Sequence, residues 1–275
     1  MLKKLFKFGG NSDFGKVNNA IISIVGLLVV LIGWQFISAN EIIPTKVLPE
    51  PLKVIGSFDS LYCDNYLFSN IWFTVKLNLL CYLYAILISF PIGFLIALCP
   101  FLNLFIGKYI NALRFTPMTA VTALFISIFG LAFSMKVWFL TIAISIFIIP
   151  EIVNRINDLQ NPNNVKDNVY LQTIQTLGAT NWQKFKYVYF PYVTSNVANS
   201  LIGLLGISYS YVVVAELIYK DGNITGIGSM INTMIRQAKM PEAFALLFLI
   251  IAIGYLQDFI FNKLAKILFP YKYNN

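Results

Sequence analysis

The sequence predicts an all-α integral membrane protein with about six transmembrane helices. Two observations on composition support this fold class: 58% of the 275 residues are hydrophobic, and only 12% are charged. A soluble domain carries roughly a quarter charged residues. The third observation is a series of apolar runs, since a helix needs about 20 largely apolar residues to cross a bilayer. Such runs lie at 20–37, 71–98, 120–133, 137–153, 193–219 and 243–261.

Each run has a place in the predicted order of the chain. The first follows a basic segment, 1–19, and has no small-residue cleavage site behind it, so we expect it to be retained as a span. Prolines 44, 49 and 51 predict a turn-rich connection up to about residue 68. The second run is long enough to span with tilt. The third is short and is separated from the fourth by 134–136 only. We expect an N-terminal segment 1–19, a transmembrane domain 20–264 and a C-terminal tail 265–275.

The distribution of basic residues predicts the orientation. One side of the predicted membrane holds 13 of the 20 Lys and Arg residues, the other side holds 6, and Lys76 lies inside the second run. Loops rich in Lys and Arg remain in the cytoplasm, so both termini and the polar segment 154–186 are expected there. Glu151, at the end of the fourth run, is expected to pair with Arg155 four residues on.

Several classes of function are disfavoured by the composition. The chain has no histidine and three cysteines without a CxxC motif, so zinc sites and thiol–imidazole dyads lack ligands. The net charge of +8 comes from basic residues that flank apolar runs and not from long basic blocks, which disfavours nucleic acid as a partner and indicates lipid. An ion channel would show a repeated filter or a charged stripe, and none is visible.

The segment QTIQTLGATNWQKFKYVYFP, residues 172–191, is polar although it lies between two apolar runs. Asp167 or Asn168 is a candidate N-cap of a short helix that ends near Gly178, where a left-handed residue fits. Thr180 and Gln183 have the spacing of a capping box that begins a second helix, leading into the fifth span. A helix over about 168–180 is too short to cross the membrane. It would suit docking into a partner's groove, or the segment is an ordinary connecting loop.

This segment resembles the cytoplasmic signature of ABC importer permeases: Glu-Ala-Ala, three residues, Gly, nine residues, then Ile-x-Leu-Pro. Residues 172–174, Gln-Thr-Ile, stand where the triplet would, and Gly178, Val188, Phe190 and Pro191 follow at the same spacing. The triplet departs from the family in identity, which puts the ATPase pairing in question. Further stretches are similar to the nitrate, sulfonate and taurine-type branch of that family: VLPEPLKVIGSF (47–58), FPIGFLIAL (90–98), LRFTPMTAVTALFISIFG (113–130), VVVAELI (212–218) and GIGSMI (226–231).

The resemblance implies the type I permease fold in a bacterial cytoplasmic (inner) membrane. It also implies a second permease copy, two cytoplasmic ABC ATPase subunits and an extracytoplasmic substrate-binding protein. The chain contains no GxxxxGK[ST] phosphate loop, so it is expected to be a transport subunit and not an enzyme, without cofactor of its own and with ATP on the partner. The ATPase is expected to dock on Gln172, Thr173, Ile174, Thr176, Leu177, Gly178 and Ala179.

The translocation path or its gate is expected at Ser208, Ser210, Tyr211 and Glu216 of the fifth span. The alternative for the hydroxyl groups is hydrogen bonding across helices, and the alternative for Glu216 is a carboxylate near the interface, paired with Lys220. By resemblance the substrate is a small anion such as a sulfonate, taurine or nitrate, or alternatively a vitamin or vitamin precursor such as a pyrimidine or riboflavin. A channel or scaffold subunit without an ATPase is the alternative from a different class.

Overall fold

A computed structural model describes residues 16–64, 66–218, 222 and 224–273, without the side chains of 16–20, 63, 64 and 273. The described parts are helical with short connections. The helices are α1 Lys16–Ala39, α2 Pro51–Asp64, α3 Leu67–Leu98, α4 Met118–Phe129, α5 Phe133–Gln160, α6 Val165–Thr176, α7 Asn181–Gly203, α8 Leu205–Ile218, α9 Ile227–Arg236, α10 Met240–Leu268 and α11 Pro270–Tyr273.

The predicted membrane-spanning character is confirmed. Helices α1, α3, α5 and α10 are each long and apolar enough to cross a bilayer. Two further spans are possible if each of two bent helix pairs counts as one: segment Pro100–Phe115 with α4, bent by 102°, and α7 with α8, bent by 54°. The fifth predicted span is therefore two helices, which meet at Leu204.

The third predicted span differs most from its prediction. Helix α4 has 12 residues, about 18 Å at 1.5 Å per residue, which is well short of a hydrocarbon core of about 30 Å. It ends at Phe129, before the predicted boundary at 133, because Gly130 follows with a φ of 68°. Helix α5 begins at Phe133, so Lys136, assigned above to a loop, lies within α5. Its side chain is buried, and Nζ lies 5.3 Å from the ring centre of Phe73.

The core consists of two groups of buried side chains. The larger group lies where α3 packs along α5 and where α4, α7 and α8 cover this pair, and it includes Phe139, Leu140 and Ile152. The smaller group joins α2, α9 and α10, with Leu61 and Leu246 fully buried. The bundle is thus built around α5, which also carries α6 at its C-terminal end.

Helices α2 and α9 were not predicted. Pro51 was interpreted as a turn residue, but it stands at the first position of α2, where proline is favoured because its missing N–H needs no partner. In α9, apolar residues at 227, 230, 231 and 234 are buried, which is the spacing of one helix face. This pattern was available in the sequence.

Candidate functional site

Helix α6 is fixed to the C-terminal end of α5 by one buried amide. Asn168 Nδ2 donates a hydrogen bond of 2.9 Å to the carbonyl oxygen of Leu159. The N-cap position of α6 is Asn164 and not Asp167 or Asn168 as predicted. Asn168 does not cap α6 because its side chain bonds to α5 instead and anchors the helix there.

Gln172 supports this anchor. Its Nε2 donates to Asn168 Oδ1 at 2.6 Å, while the amide nitrogen of Asn168 is engaged with α5. A glutamate at 172 has no proton to donate at neutral pH and would place its negative charge against the same oxygen. This contact gives a physical reason for glutamine where the signature has glutamate.

The turn after α6 depends on Gly178. Its φ is 70°, in the left-handed region where glycine carries no steric penalty. The backbone nitrogens of Gly178 and Ala179 donate to the carbonyls of Gln175 and Ile174, which closes the end of α6. A Cβ at Gly178 would meet nothing within 4 Å. Only backbone conformation therefore selects glycine here within this chain.

The predicted capping box is present at the start of α7. Gln183 N donates to Thr180 Oγ1 at 3.4 Å, and Thr180 N donates to Gln183 Oε1 at 2.7 Å. Residues 185–189 form one turn of π-helix, and α7 then continues through Pro191 to Gly203. The short helix α6 and the longer α7 thus meet at a defined elbow, residues 177–180, that leads directly into the fifth span.

Most of the predicted docking residues of α6 are exposed in this chain. Leu177 is 79% exposed, and Thr173, Thr176 and Gln172 are also exposed, whereas Ile174 and Ala179 are half-buried. Beside them lies a groove of about 760 Å³ between α6, α7 and the C-terminal residues, lined among others by Tyr170, Ile174, Leu177, Tyr187 and Lys272. We call Leu177 and the predicted docking residues around it the α6 surface.

The C-terminal end of the chain closes one side of the groove. Lys272 Nζ donates to the carbonyl oxygen of Ser195 at 3.0 Å and to Asn196 Oδ1 at 2.9 Å. Partial burial lowers the pKa of Lys272 from its usual value. These bonds hold the tail next to the C-terminal half of α7.

The four residues predicted for the path do not share one environment. Ser208 is buried and accepts a hydrogen bond of 3.0 Å from Asn78 Nδ2 of α3. Ser210 is exposed and bonds to the carbonyl of Gly206. Tyr211 is half-buried with its ring edge-on to Phe139. Of the three hydroxyl groups, only that of Ser210 belongs to an exposed residue that could line an open path in this chain.

Ser210 belongs to an exposed stripe of small and polar residues. Asn199 and Gly203 are four residues apart on α7, and Gly206 and Ser210 are four apart on α8, so each pair shares one face of its helix. A Cβ at Gly203 or Gly206 would have nothing within 4 Å. We call this the α7–α8 stripe, and its polarity is unusual for a surface that faces lipid.

Glu151 joins three elements at the α6 end of the bundle. The predicted pair with Arg155 is confirmed at 2.8 Å. The carboxylate also contacts Arg114 at 3.4 Å and accepts from Ser200 Oγ of α7 at 2.9 Å. The first half of the fifth span is therefore bonded to α5 and to segment Pro100–Phe115.

Glu216 is completely buried, at the opposite end of the bundle from α6. Thr74 Oγ1 of α3 donates to Oε1 at 2.7 Å, and the amide nitrogen of Gly228 donates to Oε2 at 2.7 Å. Lys136 of α5 interacts electrostatically with the carboxylate. Lys220, the predicted alternative partner, lies outside the described residues.

Comparison with known families shows where this arrangement belongs. Residues 89–270 match the family described as "Binding-protein-dependent transport system inner membrane component". The chain belongs to this family. The matched region includes the α6 surface, the elbow, the α7–α8 stripe and α9.

Individual relatives carry the match further toward the N-terminus. An aliphatic sulfonates transport permease protein, SsuC, of Bacillus subtilis is 26% identical, over 84% of this chain and 80% of the relative. The taurine transport system permease protein TauC of Escherichia coli is 24% identical over 77% and 75%. The formylaminopyrimidine transport permease protein ThiX of Halalkalibacterium halodurans is 24% identical over 89% and 93%.

A solved structure supports the fold. The crystal structure of an amino acid ABC transporter with histidines contains a chain that superposes with a TM-score of 0.54 at 20% identity. The superposition covers 78% of this chain and 95% of the other. The predicted fold class, a helical ABC-importer permease, is confirmed.

Three buried polar residues of the second span were missed. Asn70, Thr74 and Asn78 lie on α3 at intervals of four, so they share one face, and each is at most 1% exposed. All three hydrogen-bond to residues beyond 200 in the chain. Their regular spacing inside an apolar run was the available signal, whereas their partners could not be read from the sequence.

Proposed function

We propose that this family member is the permease subunit of an ABC importer, in which a separate ATPase docks on the α6 surface and drives alternating access. The observation that carries the proposal is the exposed short helix ending at Gly178 and continuing through an elbow into the fifth span. No phosphate-loop motif occurs in the sequence. Energy from ATP would therefore enter through the partner, and the α6 end of the bundle would face the cytoplasm.

The contacts of α6 explain how a docked partner would move the span. Asn168 ties α6 to α5 on one side, and the Thr180–Gln183 capping box starts α7 on the other. Hydrogen bonding continues through the bend at Leu204, whose nitrogen donates to Ser200 and whose carbonyl accepts from Ser208. A displacement of the elbow would thus be passed along α7 and α8 as one unit.

The α7–α8 stripe is the wall of the path in this proposal. Two glycines and two polar residues give a surface that leaves room beside the helix and offers hydrogen-bonding groups. The polar side chains of Asn199 and Ser210 are costly when they face lipid and useful when they line water. A second copy of the chain, with its own stripe opposite, would complete the path.

The substrate class we propose is a small organic anion of the sulfonate type. Two of the relatives are named for aliphatic sulfonates and taurine, and these match over at least three quarters of their lengths. A formylaminopyrimidine-like vitamin precursor is the second candidate, favoured by the relative that aligns over 93% of its length. Binding of taurine, an alkanesulfonate and formylaminopyrimidine to the partner binding protein would distinguish the two by calorimetry.

The docking proposal is tested by one charged substitution with a matched control. Leu177→Asp places a carboxylate on the α6 surface, and Ile42→Asp makes the same change at an exposed residue far from it in the chain. Burying an unpaired charge in an interface costs several kcal/mol, so we expect Leu177→Asp to lose about a hundredfold of ATPase association. The ATPase co-purified from membranes with each variant is measured against wild type.

The result also separates the importer from its rival. Ile42→Asp should retain the ATPase. Equal recovery with both variants would show that α6 is not the docking helix. If wild type itself recovers no phosphate-loop ATPase, the chain is a channel or scaffold subunit instead.

A further inference from the structure

We propose that Glu216 is a positioning residue that locks the N-terminus of α9 to the end of the fifth span, so that movement driven from the α6 surface reaches the opposite face of the bundle. The mechanical part of this proposal rests on the proposed importer function. The lock itself is a property of the isolated chain.

The first step of the argument is the use of both carboxylate oxygens. Oε1 accepts from Thr74 Oγ1 and Oε2 from the amide of Gly228, each at 2.7 Å. Glu216 is 0% exposed, so water does not compete for these bonds in this chain. Hydrogen bonds to a buried charge are stronger than neutral ones, and the carboxylate therefore fixes α3, α8 and α9 relative to each other.

The second step is the state of the first backbone amides of α9. A helix leaves these donors without partners inside the helix, and they carry a partial positive charge that attracts anions. Asn70 Oδ1 accepts from Thr225 N and Gly226 N, both at 2.8 Å, and Thr74 Oγ1 accepts from Ile227 N at 2.9 Å. Together with Gly228 N, four consecutive amides are thus bound by side chains of other helices.

The third step is the presence of two glycines in this turn. A Cβ at Gly226 would overlap the carboxyl group of Glu216, and a Cβ at Gly228 would lie 2.8 Å from Val213 Cα and 3.0 Å from Glu216 Oε2. The φ of Gly226 is 96°, which also favours glycine. The turn therefore has no room for a Cβ at either glycine beside the carboxylate, and the backbone conformation at Gly226 also favours glycine.

The fourth step distinguishes a lock from ordinary packing. Helix α9 also buries Ile227, Met230, Ile231 and Met234 against α2 and α10. These contacts would keep α9 on the bundle without Glu216. The carboxylate adds a charged link between α8 and the N-terminus of α9. Helix α8 is in turn joined through α7 to the elbow at the α6 surface.

The lock is tested first on the purified full chain in lipid. The reporter is Ser229→Cys, a near-isosteric change at a fully buried position in the first turn of α9, in a background with the three native cysteines replaced by alanine. Glu216→Gln keeps the shape and removes the charge, and Glu242→Gln makes the same change at the start of α10. We expect Glu216→Gln to raise the rate of maleimide labelling about tenfold or more, and Glu242→Gln to leave it unchanged.

The transmission is tested in the complex with ATPase and binding protein. Glu216→Gln should lower the amount of solute imported per ATP hydrolysed by about tenfold, a ratio that loss of folded protein does not change. Slow labelling equal to wild type overturns the lock, and an unchanged import ratio overturns the transmission. If Glu216→Gln does not fold, Glu216→Asp, whose shorter side chain cannot reach Thr74 and Gly228 N together, replaces it in both assays with the same criteria. Absence of ATP-driven import by wild type would refute the importer proposal, while the labelling result still decides the lock.

Discussion

Replacement of Gly178 tests whether backbone conformation at the end of α6 controls ATPase docking. A residue with a Cβ pays roughly 1–2 kcal/mol in the left-handed region, and a β-branched residue is a genuine outlier there. The structure offers no clash, because nothing lies within 4 Å of a Cβ at this position. The effect should therefore follow tolerance of a φ of 70° and not side-chain size.

Three variants at this one position separate these two causes. Asparagine tolerates the left-handed region, so Gly178→Asn should remain close to wild type. Gly178→Ala should lower docking affinity about fivefold and Gly178→Val about thirtyfold or more. The assay is ATPase co-purification with ATP-driven uptake in vesicles, at equal amounts of permease in the membrane.

The order of the three variants in docking and uptake shows whether strain at residue 178 is the cause. Wild-type docking and uptake by Gly178→Val would refute the role of the elbow. A loss with Gly178→Asn as large as that with Gly178→Val would show that a partner packs against this position and that strain is not the cause.

Two further predictions concern the anchor of α6 and the path. Gln172→Glu removes the donor to Asn168 and should destabilise α6 by about 1 kcal/mol, which amide hydrogen exchange would show as faster exchange in α6. The control Gln175→Glu, at an exposed position of the same helix, should have little effect. Equal exchange rates in the two variants would contradict the anchor. Ser210→Trp places a large side chain on the α7–α8 stripe and should reduce uptake by about tenfold or more without loss of ATPase association. Ile251→Trp, at an exposed apolar position of α10, is the control. Uptake at the wild-type rate with Ser210→Trp would show that the stripe does not line the path.

The parts of the site that the sequence predicted are those held by local interactions. Gly178 ends α6 because of its own φ, and the Thr180–Gln183 box joins residues three apart. Both depend on the chain over a few residues only, so motif and propensity were sufficient. The apolar runs are also local features of the sequence, and helices are present where these runs predict them.

The parts that could not be predicted depend on contacts between distant residues. Glu216 was expected at the path or its gate, or alternatively near the interface, but neither expectation names its partner Thr74, which lies 142 residues away in the chain. Lys136 was assigned to the break between the third and fourth apolar runs. The ring of Phe73 and the carboxylate of Glu216, which accompany its burial, come from other helices. Burial of such groups is decided by the packed bundle, which a single sequence does not display.

Helix α1 stands apart from all of these contacts. Only 6% of its apolar window is buried, and near its end Trp34 donates to the carbonyl of Pro49 and Ser38 to that of Leu48. Between Ile21 and Trp34 the described side chains are therefore selected more by compatibility with acyl chains than by packing inside this chain. An unrelated hydrophobic helix of equal length could replace that stretch, which makes it a natural position for spectroscopic probes or affinity handles that leave the moving parts undisturbed.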